Sequence, residues 1–195
     1  MLAAVILSGG ESSRMGSPKA LLPYQGRPFL EHLLEITKHP KIGVRRVVLG
    51  AHAQAIARAI PLEADEIVIN TEWEKGQLSS VQAGLRSLPQ GTEGMLLCPI
   101  DHPLVSANLA GELIEKFYAT GAPVVVPVYE GRRGHPVIFS ARVYAELMAA
   151  PLEVGARAVV RAHLPELAEV TTNEEGVVLN LNDPEALQKL TGRDD

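Results

Sequence analysis

The residues best equipped for chemistry follow a short aliphatic run. Leu2 to Leu7 leads directly into Ser8-Gly9-Gly10-Glu11-Ser12-Ser13-Arg14-Met15-Gly16-Ser17-Pro18-Lys19. The glycines let backbone amides approach an anion without side-chain obstruction, and Arg14 and Lys19 supply countercharge. No Gly-Lys-Ser/Thr closes the loop, so it differs from a Walker A loop. Gly9 and Gly10 are adjacent rather than alternating, unlike a dinucleotide fingerprint. The composition also suits a plain connection rich in turn residues, although a loop of this length in a compact domain usually has a function.

Three other segments carry candidate groups. Met95 to Pro99 is continuously apolar and Asp101 lies just beyond it, where a hard cation bridging phosphate oxygens could be held. An Asp two residues before Pro103 is equally a turn former, and His102 reads as lining. Arg132-Arg133-Gly134-His135-Pro136 sets two guanidiniums and an imidazole beside a glycine. Such a string can hold an anionic second substrate through bidentate arginine contacts, or it can be an exposed hairpin with solvated arginines. In Glu74 to Leu85, Ser79 and Gln82 have capping-box spacing, which needs no ligand. Trp73 could stack on a flat ring, but packing is the preferred reading.

Positioning these groups requires a sheet. Strands are expected at Leu2 to Leu7, Arg46 to Gly50, Glu66 to Asn70, Met95 to Pro99, Pro123 to Val128, Pro136 to Phe139 and Val177 to Leu181. Helical spacing falls between them, at Pro28 to Thr37, His52 to Ile60, Ser79 to Leu88, Leu109 to Ala119, Val143 to Met148 and Gly155 to Ala162, with a last helix from Pro184 to Leu190. Alternation of this kind marks an α/β fold with a mostly parallel sheet, whose ligands bind at the carboxyl ends of the strands. One domain over residues 1–195 is expected, since the chain shows no repeat, low-complexity tract or linker.

Composition narrows the function classes. With 46% hydrophobic and 21% charged residues the chain is not disordered. No apolar stretch approaches the ~18 residues of a membrane span. The first apolar run stops at Ser8-Gly9-Gly10 and reads as a strand rather than a secretory signal, so a cytoplasmic address is expected. Cys98 is the one cysteine, which rules out an internal disulfide and a thiolate-rich zinc site. The acidic balance, 18 Lys and Arg against 23 Asp and Glu, provides no broad positive field for nucleic acid. Small anions remain accessible to local cations and amides.

Leu-Ser-Gly-Gly at a strand end, Ser-Arg-Met-Gly and Pro-Lys-Ala-Leu-Leu together resemble the signature of the MobA-like nucleotidyltransferases. The resemblance implies a three-layer α/β/α Rossmann-like fold and transfer of a nucleoside monophosphate from an NTP to a phosphorylated acceptor. It implies that Leu7, Ser8, Gly9 and Gly10 wrap the triphosphate, Arg14 and Lys19 contact phosphates, and Ser80 contacts the nucleotide. It also implies that Asp101 holds Mg2+, within a segment similar to the family's Gly-Asp-x-Pro that carries Ile100 in place of glycine. Asn180 and Asn182 stand where the family has aspartates. Asn182 is the weaker second metal ligand, while Asp183 before Pro184 also fits a helix cap. Arg133, Gly134 and His135 fall on the acceptor side. The Gly-Arg-Arg-Gly-His-Pro-Val-Ile-Phe string is similar to the cytidylyltransferase branch, which implies CTP ahead of GTP, molybdopterin as acceptor and transient contact with a molybdoenzyme. Gly9-Gly10 is more like the guanylyl branch, and Leu152-Glu153-Val154 lacks the expected Gly-Asp. A cytidylyltransferase for a sugar or polyol phosphate, and a non-enzymatic cofactor-delivery protein, are the competing readings.

Overall fold

The computed structural model describes residues 1–11 and 17–181. Its main sheet is built from β1 (Leu2–Ser8), β4 (Ile42–Leu49), β5 (Ile67–Ile69), β6 (Gly94–Pro99), β7 (Val124–Tyr129), β8 (Arg132–Arg133), β9 (Val137–Ser140) and β10 (Ala168–Thr171). The order is β10-β7-β9-β6-β1-β4-β5, with β8 paired to β7. β1 lies parallel to both β4 and β6, and β5 is parallel to β4. β9 runs antiparallel between β6 and β7, as expected of a sheet that is mostly but not wholly parallel. A separate hairpin pairs β2 (Pro23–Tyr24) with β3 (Arg27–Pro28).

The two-residue period of the strands sorts side chains between two helical layers. From β1, Leu2 and Ile6 join Leu30, Leu33 and Ile36 of α1 (Phe29–Ile36), Ile56 of α2 (Ala53–Ala59), and Leu109, Leu113 and Phe117 of α4 (Ala107–Thr120). Val5 and Leu7 point the other way. They meet Leu78, Val81 and Leu85 of α3 (Gln77–Arg86), Leu147 of α5 (Tyr144–Ala149) and Val159 of α6 (Arg157–Ala162). The result is the three-layer α/β/α sandwich. α4 is punctuated in sequence at both ends: Ser106 Oγ accepts the Leu109 N–H at 3.1 Å, and Gly121 closes it in the left-handed region at φ 62°. Among the described residues, no helix is long and apolar enough to cross a membrane.

One expected strand is absent. Val177 to Leu181 is not in the sheet: a 3-10 turn covers Glu175–Val177, and the edge beside β7 is taken by Ala168–Thr171 instead. Val177 and Leu181 are buried because the segment packs across the ends of the strands. Its backbone bonds run to loops, with Val177 C=O accepting from His135 N–H at 2.8 Å and Leu181 N–H donating to Asp101 C=O at 3.0 Å. A short buried apolar run has no periodicity that separates these two outcomes. The expected helix from Pro184 to Leu190 lies outside the described residues.

Candidate active site

Because β1, β4, β5 and β6 are parallel, their carboxyl ends share one edge of the sheet. Backbone bonds then tie the following loops together. Ile100 N–H continues the parallel β1–β6 ladder by donating to Leu7 C=O at 3.0 Å, which sets Asp101 immediately beyond β6. Ala51 N–H donates to Gly9 C=O at 3.2 Å, and Asn70 N–H to Leu49 C=O at 2.8 Å. Leu7, Ser8 and Gly9 are buried at this edge, and Gly10 opens to solvent.

Gly9 lies against α3. A Cβ added there would sit 2.6 Å from Ser80 Oγ, so the turn touches the serine only because the residue is glycine. Ser80 is buried on the first turns of α3, whose N-cap is Gly76 at φ 94°. The capping box expected from Ser79 and Gln82 does not form. Ser79 Oγ donates back to the carbonyls of Gly76 (2.7 Å) and Glu72 (2.9 Å), while Gln82 Nε2 reaches Met148 C=O at 3.1 Å. Trp73 packs as expected, its Cβ 2.7 Å from where a Cβ at Gly50 would lie.

On the other side of the edge, the Asp101 side chain is 18% exposed. Among the described residues its carboxylate has one close polar neighbour, His102 Nε2 at 4.0 Å. Burial holds His102 below the ordinary imidazole range, against the opposing pull of Asp101 and of the Gly176 carbonyl, and with help from the charge of Lys19. The His102 contact with Asp101, at 4.0 Å, is longer than a hydrogen bond. Lys19 itself is half-buried at the start of the 3-10 turn Lys19–Leu21.

The acceptor-side candidates divide. The His135 ring lies against that of His102, centroids 4.8 Å apart and planes tilted by 45°, and so joins the Asp101 group. Burial pushes His135 down to about 4, and the neighbouring His102 and Arg157 act in the same direction. Both rings keep a buried Nδ1 with no hydrogen-bond partner. Gly134 makes this approach possible, since a Cβ there would lie 2.2 Å from the Val177 carbonyl oxygen. Arg133 instead turns away on β8, where its Nε donates to Glu169 Oε1 at 2.7 Å on the exposed face of β10. Arg14, Asn182 and Asp183 lie outside the described residues. The expectations for individual site residues did not include Asn70, which lies beside Ser80. Asn70 carried one signal, its place at the carboxyl end of a strand.

The donor chemistry suits a hard divalent ion. Asp101 offers carboxylate oxygens that no described residue hydrogen-bonds, and Mg2+ is commonly held by one or two carboxylates with water and substrate phosphates completing its shell. Among the described residues, no group of three or more His, Cys, Asp and Glu side chains is placed to hold a metal without such help.

The MobA-like NTP transferase domain profile matches residues 4–168. The chain belongs to this nucleotidyltransferase family. It is 33% identical over 195 residues to the molybdenum cofactor guanylyltransferase of Cereibacter sphaeroides, covering 96% of this chain and 94% of that protein. It is 32% identical over 148 residues to nicotine blue oxidoreductase of Paenarthrobacter nicotinovorans, covering 70% of each. Among solved structures, Rv0371c of Mycobacterium tuberculosis H37Rv superposes with a TM-score of 0.85 at 23% identity, covering 98% of this chain and 99% of that one. Its manganese complex superposes at 0.72 with 24% identity and 88% coverage of both chains. These structural likenesses establish the fold.

Proposed function

We propose that this MobA-like NTP transferase moves a nucleoside monophosphate from an NTP to molybdopterin. A phosphate oxygen of the acceptor attacks the α-phosphorus in line; that P–O bond forms as the α–β anhydride bond breaks, and pyrophosphate leaves. The observation that carries the reading is the convergence of the Gly9 turn, Ser80 and Asp101 at one sheet edge. The protein's work is positioning and electrostatic stabilisation. Backbone amides of the Gly9-Gly10 turn and the Lys19 and Arg14 cations grip the triphosphate, Ser80 contacts the nucleotide, and Asp101 with Asn182 holds Mg2+. When bound, Mg2+ neutralises charge on the phosphate oxygens. Gly134 and His135 line the acceptor side, where the His135 ring lies buried beside that of His102.

The relative from Cereibacter sphaeroides supports GTP as donor, ahead of the CTP that the Gly-Arg-Arg-Gly-His-Pro string favours. Pyrophosphate release, measured with each NTP and magnesium, first with molybdopterin and then with small sugar and polyol phosphates, tests both points. Turnover with GTP and molybdopterin is the expected result; turnover only with CTP reverses the base choice, and turnover only with small phosphates reverses the acceptor. The likeness to nicotine blue oxidoreductase favours a second reading, an oxidoreductase acting on nicotine blue, the compound that name gives. Redox turnover of nicotine blue with an added electron donor or acceptor, without pyrophosphate release from any NTP, would replace the transfer reading.

A further inference from the structure

The loop after β5 holds a polar residue whose hydrogen bonds leave little freedom in how it is oriented. Asn70 is 3% exposed. Its Oδ1 accepts the Glu72 backbone N–H at 3.0 Å, and since that N–H can only donate, the amide cannot be flipped. Nδ2 must then face α3, where it lies 2.9 Å from Ser79 Oγ and 3.0 Å from Ser80 Oγ. Each of its two N–H groups serves one serine.

The two hydroxyl protons are disposed differently. Ser79 donates to the backbone carbonyls of Glu72 and Gly76. Ser80 sits one residue further along, and a serine there would ordinarily bond back to the carbonyl four residues earlier, which is that of Gly76. Among the described residues it makes no such bond, and its one hydrogen bond is the one it accepts from Asn70. A hydroxyl oxygen that accepts from an amide directs its proton elsewhere, and the neighbour left is the Gly9 turn, 2.6 Å from Oγ to a Cβ built on Gly9.

We propose that Asn70 is a positioning residue: by donating to Ser80 Oγ it makes that hydroxyl a fixed hydrogen-bond donor toward the nucleotide bound over the Gly9 turn. The role rests on the proposed nucleotide site and adds to it the element that orients the serine. It also explains why the buried residue just after β5 is an amide rather than an acid. A carboxylate at position 70 would still accept the Glu72 N–H, but it would compete for the Ser80 proton.

The test is a double-mutant cycle on nucleotide affinity, read by calorimetry with GTP and with CTP at millimolar magnesium. Asn70→Asp keeps the shape and the Glu72 contact and should weaken binding about tenfold, the equivalent of one lost hydrogen bond. In a Ser80→Ala background the same change should cost less than about twofold. Equal losses in both backgrounds would mean that charge or general disruption is responsible and would overturn the assignment, as would wild-type affinity in Asn70→Asp. If the aspartate variant does not fold, Asn70→Ala run through the same cycle decides between the same outcomes. Ser79→Ala, which leaves the Asn70–Ser80 bond in place, should bind as the wild type does. Failure of the wild type to take up either nucleotide would overturn the nucleotide site itself, an outcome distinct from additive losses in a chain that binds.

Discussion

Asp101 shows how much a single residue can carry. Its carboxylate is mostly buried, unpaired by any described cation, and set just past the end of a buried strand. Asp101→Asn keeps the volume and removes the charge, so magnesium-dependent turnover should fall on the order of a hundredfold or more, about 3 kcal/mol of barrier, with an unchanged melting temperature. Wild-type turnover in that variant would remove Asp101 from the site. The adjoining imidazoles predict a pH effect of definite sign. His135 sits at about 4 and His102 is also depressed, against an ordinary 6.5, so below pH 6.5 the unfolded chain binds protons that the folded chain refuses. Stability from these rings is complete above pH 6.5 and is lost as pH falls toward 4. Thermal melts across that window should show a shallower fall for His135→Gln than for the wild type; identical slopes would assign the effect elsewhere. Asp101 was legible from its place after an apolar run, whereas the pairing of His135 with His102 was not, because 32 intervening residues of helix and strand bring them together.

At the scale of elements, the strands with long apolar runs were readable and the short edge strand was not. Ala168–Thr171 alternates half-buried with exposed residues, and four residues of that pattern look like a loop. It becomes a strand because β7 presents a parallel edge to it. The segment read as the last strand acts instead as a brace. Its Val177 carbonyl receives the His135 N–H and presses on Gly134, fixing the loop that carries both residues. Gly134→Ala would place a methyl 2.2 Å from that carbonyl oxygen, a clash with backbone that no side-chain rotation relieves. The expected loss is about 1–3 kcal/mol of stability, measured by denaturant unfolding, together with a raised KM for the acceptor. Unchanged stability would show that the brace yields at little cost.

Taken whole, the molecule brings its candidate site residues to where parallel strands end; the helix order and mostly parallel sheet could be read along the chain, and the three layers were implied by the family resemblance. The reason is physical: strand and helix periodicities, glycine and proline signals, and the loop after a strand are short-range features, written within a few residues of where they act. The family signature is local in the same sense, since Ser8 to Lys19 is one contiguous loop. Contacts between elements follow another rule. Whether Ser79 caps a helix or bonds back to Glu72, and which groups the Asn70 amide bonds, depend on which buried polar groups find partners after the layers close, whereas Arg133 meets Glu169 on an exposed face. Burial without a partner costs more than any local propensity returns, so hydrogen-bond satisfaction across the packed interfaces made those choices.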